Sequence, residues 1–367
     1  MVGKTIIKVI ILASNIVAVA LYILALVGSE ISPEKLILTS YFALGFPLLI
    51  ATNIGFVFFW LFTRKWYFLL SLLLLVFSYK QIGNVFAFNI TKKKVEITKN
   101  QPIKILTYNT MMSGKLVKHT KKKPNMVFKY IQDTDADIVC LQEFTVSEKE
   151  DYITLKDIYK IFAKYPYKHI HFKSQNGSKH NGIATFSKFP IINKQTIDFP
   201  SYFNVSIYSD IKIYGKKIRI VNNHLESNNI TENDKVLPLI LKERFDAENL
   251  KGITKHFSRK LGNASKRRAV QADAVAKVIT DSPYKVIACG DFNDVPVSYA
   301  YTKIRGNLND TFADTGYGFG WTFNDRVYHF RIDYQLYDAS TFTVTKYKSD
   351  DVNYSDHQPV YCEMNMN

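Results

Sequence analysis

A set of polar residues spread along the chain carries side chains able to bind a cation or move a proton: Asn109, Glu143, His224, Asp291, Asn293, Asp333, Asp356 and His357. The densest group is VIACGDFNDVP (residues 286–296), where Asp291, Asn293 and Asp294 follow an apolar run almost at once. Carboxylates and amides without a thiolate among them suit a hard cation such as Mg²⁺ or Mn²⁺, which takes oxygen ligands. Glu143 is the strongest single ligand candidate, because an apolar strand delivers it and water can complete an octahedron. The imidazoles suit charge stabilisation and proton transfer near neutral pH. A histidine held by one aspartate, with a second aspartate to take a proton from water, is a general recipe for hydrolysing a phosphate ester.

Such groups must be gathered from distant parts of the chain, and the apolar patterning says how. IKILTYN (103–109) alternates as a strand and ends at Asn109. A helix over 126–134 precedes the buried strand IVCL (138–141), which runs into Gln142 and Glu143. GIATFSKFPI (182–191) reads as strand, and residues 203–227 read as a hairpin turning near Gly215, with a polar tip at 222–226. A polar, irregular insertion is expected over 227–266, then a helix over 267–280 with Val270, Ala274 and Val278 on one face. The VIAC strand follows, then RIDYQLY and SDHQPVYCEM. Several apolar strands therefore end in Asn, Glu, His or Asp, which places the polar tips along one edge of a stacked-sheet core. There is no internal repeat.

The front of the chain differs in kind. Nearly all the long apolar runs of the 367 residues lie before residue 90. Three membrane spans are expected, at about 9–27, 36–62 and 66–88, since a span needs roughly 20 apolar residues. Trp60, Trp66, Tyr67, Tyr79 and Phe88 fall near their ends, where interfacial rings belong. The domain boundary is thus a membrane anchor over 1–95 and a catalytic domain over 96–367. Lys4, Lys8 and the Arg64–Lys65 turn are basic, whereas the first connection, SEISPEK, is largely acidic, so the positive-inside rule sends the domain beyond residue 90 out of the cytoplasm.

The formal charge of +16 invites a polyanionic partner, concentrated in lysine triplets at 92–94 and 121–123 and in SKRR at 265–268. Juxtamembrane lysines also attract anionic headgroups, so charge alone does not select nucleic acid. Cys140, Cys289 and Cys362 cannot all pair and each has apolar neighbours, which reads as buried free thiols and excludes a disulfide or zinc framework.

LTYN, CLQEF, NHL, GDFND, RIDY and SDHQPV occur in the order and approximate spacing of the endonuclease/exonuclease/phosphatase superfamily, which the chain resembles over about residues 103–363. Each motif is weak alone; six in order are specific. The three-span front resembles a membrane-anchored bacterial branch, implying an inner-membrane location. The resemblance implies a four-layered α/β sandwich behind three transmembrane helices, and a metal-dependent phosphodiesterase using Mg²⁺ or Mn²⁺. By it Glu143 is the principal metal ligand with Asn109 beside it and Asp356 on the metal side. Asp291 orients or deprotonates the attacking water, and Asn293 steadies the phosphate. His357 binds the scissile phosphate and Asp333 holds its ring; His224 is a second phosphate-contacting histidine.

Other polar residues have plainer readings. Asp294 caps the turn after GDFN, Asp310 and Asp351 are surface residues, and His169, His171 and His180 lie away from any strand tip. Trp321 either packs in the core or lines the cleft. Nucleic acid is favoured as substrate, with a phospholipid or phospho-headgroup as the alternative. A non-catalytic membrane-tethered binding protein is the competing class. Spans without a charged residue near their middle argue against a transporter.

Overall fold

The computed structural model describes residues 2–90, 102–228, 230, 234, 247–325 and 329–367. The lysines at 92–94 lie outside them.

Alternation along the central strands decides the layering. In β1 (Ile103–Asn109), Ile103 and Ile105 face one core while Leu106 and Tyr108 face another. The next strand, β2 (Ile138–Ser147), repeats this with Ile138 and Cys140 against Val139 and Leu141. A strand buried on both faces reads as a continuous apolar run, which is why VIAC-type segments stood out. β3 (Tyr167–Asn176) and β4 (Lys179–Ser187) continue this first sheet. The chain then crosses to a second sheet with β5 (Ile191–Ile197), β6 (Val205–Ile213), β7 (Lys216–His224), β8 (Lys285–Asp291), β9 (Asn309–Asp310) and β10 (Asp333–Tyr337). It returns to the first sheet with β11 (Phe342–Ser349) and β12 (Val360–Met366).

Each sheet has six strands, in the orders β11-β12-β1-β2-β4-β3 and β9-β10-β8-β7-β6-β5. One pair per sheet is parallel, β1 with β2 and β7 with β8. Between the sheets Ile105, Cys140, Ile220, Ile287, Cys289 and Met364 pack together. Each fully buried aliphatic there contributes about 1.5–3 kcal/mol. Helices Met126–Thr134 and Leu155–Ile161 cover the first sheet, and Ala247–Thr280 with Tyr299–Arg305 covers the second. The result is the expected four-layered sandwich. All three cysteines are buried and free.

Three expectations need correction. The helix expected over 267–280 starts at Ala247 and takes up much of the supposed irregular insertion. Its early half carries Leu250, Ile253, Phe257, Leu261 and Ala264 at helical spacing, hidden in sequence by the lysines between them. Its buried face centres on Ala272 and Val275, with Ala274 and Val278 at the margin and Val270 exposed. Asp310 is buried, not a surface residue, because it pairs with the buried Arg331 at 2.8 Å.

The third correction concerns the spans. α1 (Val2–Gly28) contains one continuous apolar helix long enough to cross a membrane, Thr5–Gly28. The second segment is broken into α2 (Leu38–Leu44) and α3 (Phe46–Phe62), bent by 69°. Pro47, in the first turn of α3, lacks the N–H that would continue the helix, and its ring would clash with the preceding turn. The third is broken into α4 (Phe68–Phe77) and α5 (Tyr79–Val85), bent by 72° at Ser78. There the Ser78 hydroxyl donates to Leu74 O and lies 2.7 Å from Tyr22 Oη. Only if each bent pair counts as one span do the described residues hold three.

These helices dock on the sandwich at one end. Tyr22, Ala25, Ala43, Phe46 and Val85 pack with Val295 and Val297. Tyr41 Oη donates to Ser258 O at 2.7 Å, and Arg331 Nη2 to Asn84 O at 2.7 Å.

Candidate active site

The site forms where the parallel pairs of both sheets end. β8 stops at Asp291, which stands in register with His224 of β7 on one side and Asp333 of β10 on the other. Gly290 permits this: at φ 124° it is in a region closed to side chains, and a Cβ would lie 2.1 Å from Asn223 O. Beyond the strand, Asn293 adopts φ 53° and its N–H donates to Asp291 Oδ1 at 2.8 Å. Its amide also donates to Leu225 O and to Asp291 Oδ2. The GDFN turn is thus folded around the Asp291 carboxylate.

The first sheet supplies the opposite side. Asn109 Nδ2 donates across the sheets to Asp291 Oδ2 at 2.9 Å and lies 3.4 Å from Glu143 Oε1. Glu143 does not end its strand, as the sequence suggested; β2 continues to Ser147. Instead the pairing with β4 shifts between Leu141 and Phe144, and Glu143 takes φ 49°. A bulge of this kind re-aims a side chain, and a positive φ at a non-glycine residue marks strain held for a purpose.

His357 closes the site from the loop before β12. Its Nδ1 is 2.9 Å from Asp333 Oδ2, and its Nε2 is 3.7 Å from Asp291 Oδ2. His224 Nε2 lies 4.0 Å from the same Asp291 oxygen. Several residues that the sequence reading passed over hold this geometry. Ser355 Oγ donates to Asn109 O and accepts from His357 N, tying the loop to β1. Thr322 Oγ1 accepts from the N–H groups of Ile332 and Asp333. Phe323 packs edge-on against the His357 ring at 5.2 Å. The serine of SDH was a visible signal; Thr322 and Phe323 had none.

Burial shapes the charges. Desolvation pushes the Glu143 carboxyl above its ordinary range and Asp356 reinforces it, against the pull of His357. Asp291 is raised to about 6, chiefly by burial and then by Asp333, although His357 and His224 oppose this. Burial also lowers His224. For His357 burial favours the neutral ring, yet Asp333 and Asp291 outweigh it and hold the imidazolium well above its usual range.

Glu143, Asp291, Asn293, Asp356 and His357 line one cavity of about 420 Å³. Among the described residues no lysine or arginine forms an ion pair with Glu143, Asp291 or Asp356. The buried oxygen Asp333 Oδ1 has no hydrogen-bond partner. Oxygen donors crowded together with no lysine or arginine paired to them are the donor set that Mg²⁺ or Mn²⁺ takes. Glu143, Asn109 and Asp356 could hold such an ion. A tighter group, Asp291, Asp333 and His357, also has ligand atoms within 4.8 Å of one another. There the Nδ1 contact to Asp333 already occupies the ring, so we read it as a hydrogen-bonded relay.

The residues given plainer readings stay away from the cavity, with one exception. His169 is buried against Ser209, His171 neighbours Thr196, and His180 pairs with Glu148. Asp351 is exposed. Asp294 does accept from the next N–H, of Val295, but it also lines the cavity and pairs with buried Arg268 at 2.9 Å. Trp321 is half exposed and stacks between Phe319 and His329, so it belongs to a surface cluster and not to the core.

The geometry has parallels. Residues 106–357 match the family model described as Endonuclease/Exonuclease/phosphatase family, and residues 8–85 match a domain of unknown function. No curated protein sequence matches the chain. Among solved structures, an endonuclease/exonuclease/phosphatase from Beutenbergia cavernae aligns at 15% identity and TM-score 0.51, covering 73% of this chain and 72% of that one. A humanized D. rerio TDP2 aligns at 16% identity and TM-score 0.50, covering 72% and 100%. The human Nocturnin catalytic domain, with bound sulfate anion, aligns at 18% identity and TM-score 0.50, covering 73% and 94%. At these identities the likeness concerns the fold, and the family follows from the matched span of sequence: this chain belongs to the Endonuclease/Exonuclease/phosphatase family.

Proposed function

We propose that the chain is a divalent-cation-dependent phosphodiesterase that hydrolyses a P–O bond by in-line attack of water. The observation that carries this reading is the array Asp333–His357–Asp291 standing beside Glu143 on one rim of the sandwich. Asp291 orients the attacking water and accepts its proton, a role that its raised affinity for protons suits. His357, kept as imidazolium by Asp333, faces the negative charge that grows on the phosphoryl oxygens. Asn293 steadies the phosphate, and His224 offers a second imidazole on the far side of Asp291. Glu143, with Asn109 and Asp356, holds Mg²⁺ or Mn²⁺, whose chemistry when bound is to withdraw charge from the phosphate oxygens.

A nucleic-acid strand is one substrate this reading admits. The net charge of +16 favours it, as does a D. rerio TDP2 structure complexed with single strand DNA product.

We further read residues 1–95 as a three-span anchor in a bacterial inner membrane, its second and third spans broken. Lys8 sits over the Tyr67 ring, near the Arg64–Lys65 turn, at the end of the helices away from the sandwich. The positive-inside rule then puts the sandwich outside the cytoplasm. A reporter active only outside the cytoplasm, fused after Asn367, should be on; silence would reverse the topology.

The test of the chemistry is turnover of bis(4-nitrophenyl) phosphate by the full chain in nanodiscs with Mg²⁺, Mn²⁺ or chelator. Cation-dependent release of nitrophenolate that Glu143→Ala and His357→Ala abolish is expected. An intact protein that binds Mn²⁺ but hydrolyses nothing would support a tethered binding protein instead.

A further inference from the structure

The cavity that holds the candidate catalytic groups has two unlike poles. Its polar floor is described above. Facing it are Leu44, Phe257, Leu261, Val295 and Phe330. Leu44 is the last residue of α2, half of a broken apolar segment, and the bend at Gly45 lets that half lean over the sandwich. The contact is close: a Cβ on Gly262 would lie 2.8 Å from Tyr41 Oη and 3.2 Å from Ile37 Cγ1. Four residues beyond Leu44, at the start of α3, Leu48 is 71% exposed, and Leu36 and Leu38 are exposed before it. Exposed leucines thus flank the cavity-lining Leu44 on both sides along the chain.

What the wall lacks matters as much. No lysine or arginine lines the cavity among the described residues. A groove for nucleic acid neutralises successive phosphates with such groups. In the basic run, Arg268 pairs with Asp294, Arg267 with Glu226 and Lys260 with Asp234. One phosphate pole joined to one apolar pole, with no lysine or arginine among the described lining residues, fits a ligand built the same way.

We propose that the substrate is an amphiphile, a phosphate diester carrying an apolar chain, whose phosphate meets His357 and Asp291 and whose chain lies along Leu44, Phe257 and Leu261. This rests on the phosphodiesterase reading. Hydrolysis joins the water oxygen to phosphorus and breaks one P–O bond. Asp291 takes one water proton and passes it to solvent, and the departing oxygen takes a proton from solvent, giving an alcohol and a phosphate monoester.

The test uses methyl, butyl and octyl 4-nitrophenyl phosphates below their micelle-forming concentrations, with the full chain in nanodiscs and Mn²⁺. A buried methylene is worth about fourfold in binding, so kcat/KM should rise at least about tenfold from methyl to octyl. Partition into the bilayer raises the octyl rate equally for all variants, so the wall is read from the octyl-to-methyl ratio. Leu44→Ser and Leu261→Ser should lower that ratio about fivefold or more, and Leu44→Met should preserve it. A flat wild-type ratio, a ratio unmoved by both serine variants, or a higher kcat/KM on a single-stranded oligonucleotide would overturn the amphiphile. Failure to hydrolyse any diester would overturn the phosphodiesterase reading beneath it.

Discussion

The Nδ1 of His357 lies 2.9 Å from Asp333 Oδ2, although the two residues are 24 positions apart, one opening a strand of the second sheet and the other in the loop before a strand of the first. The contact fixes both the tautomer and the charge of the ring, since Asp333 is the foremost group sustaining the imidazolium against burial. Asp333→Asn keeps the shape and removes the charge. Its kcat should fall by about 10²–10⁴-fold, the range seen when a positioned proton-transfer group is disabled. Steady-state kinetics on a nitrophenyl diester, with circular dichroism as the folding control, would check this.

Glu143 is half-buried in a bulge at positive φ, beside the like charge of Asp356. Glu143→Gln should raise the Mn²⁺ concentration for half-maximal activity at least about tenfold. In chelator the same variant should be more stable than the parent. A carboxyl raised in the fold costs stability at every pH above its unfolded value, and the amide has no charge to desolvate. Thermal unfolding in EDTA at pH 7 should show a gain of about 1–3 °C.

Arg331 and Asp310 form a buried pair, and Arg331 also donates to Asn84 O at the end of α5. Arg331→Ala strands the aspartate and frees that carbonyl, so we expect a loss of about 3–5 kcal/mol. Adding Asp310→Asn should recover part of it. Thermal unfolding of the single and double variants would measure both.

His169, buried beside Ser209, is lowered to about 4, chiefly by burial. Below about pH 6.5 the unfolded chain takes up a proton that the fold refuses. The contribution is complete above that pH and is lost as pH falls toward 4. After allowance for partial hydration of the ring it amounts to about 2 kcal/mol. His169→Gln should flatten the dependence of unfolding temperature on pH across this window.

Much of this protein was legible in its amino-acid order. Strands buried on both faces betray themselves as apolar runs, and polar residues closing those runs pointed to Asn109, His224 and Asp291 before any fold was known. The helix Met126–Thr134 was readable as a whole, and in the fold Asn125 caps it, its side chain accepting from Val127 N. Edge strands such as β3 and β11, with only intermediate burial along much of their length, gave no comparable signal.

The sequence by itself determined the residue types at the site and the strands that bear them, because side-chain chemistry and period-two burial are local properties. Only the tertiary structure decided that Glu143 sits in a bulge and not at a strand end, since a bulge is defined by the partner strand's register. It decided too that Arg268 and Arg331 serve internal pairs, since a charge in sequence does not reveal which carboxylate burial will bring to it. It also carried Leu44 to the cavity wall, a placement set by contacts between residues more than two hundred positions apart.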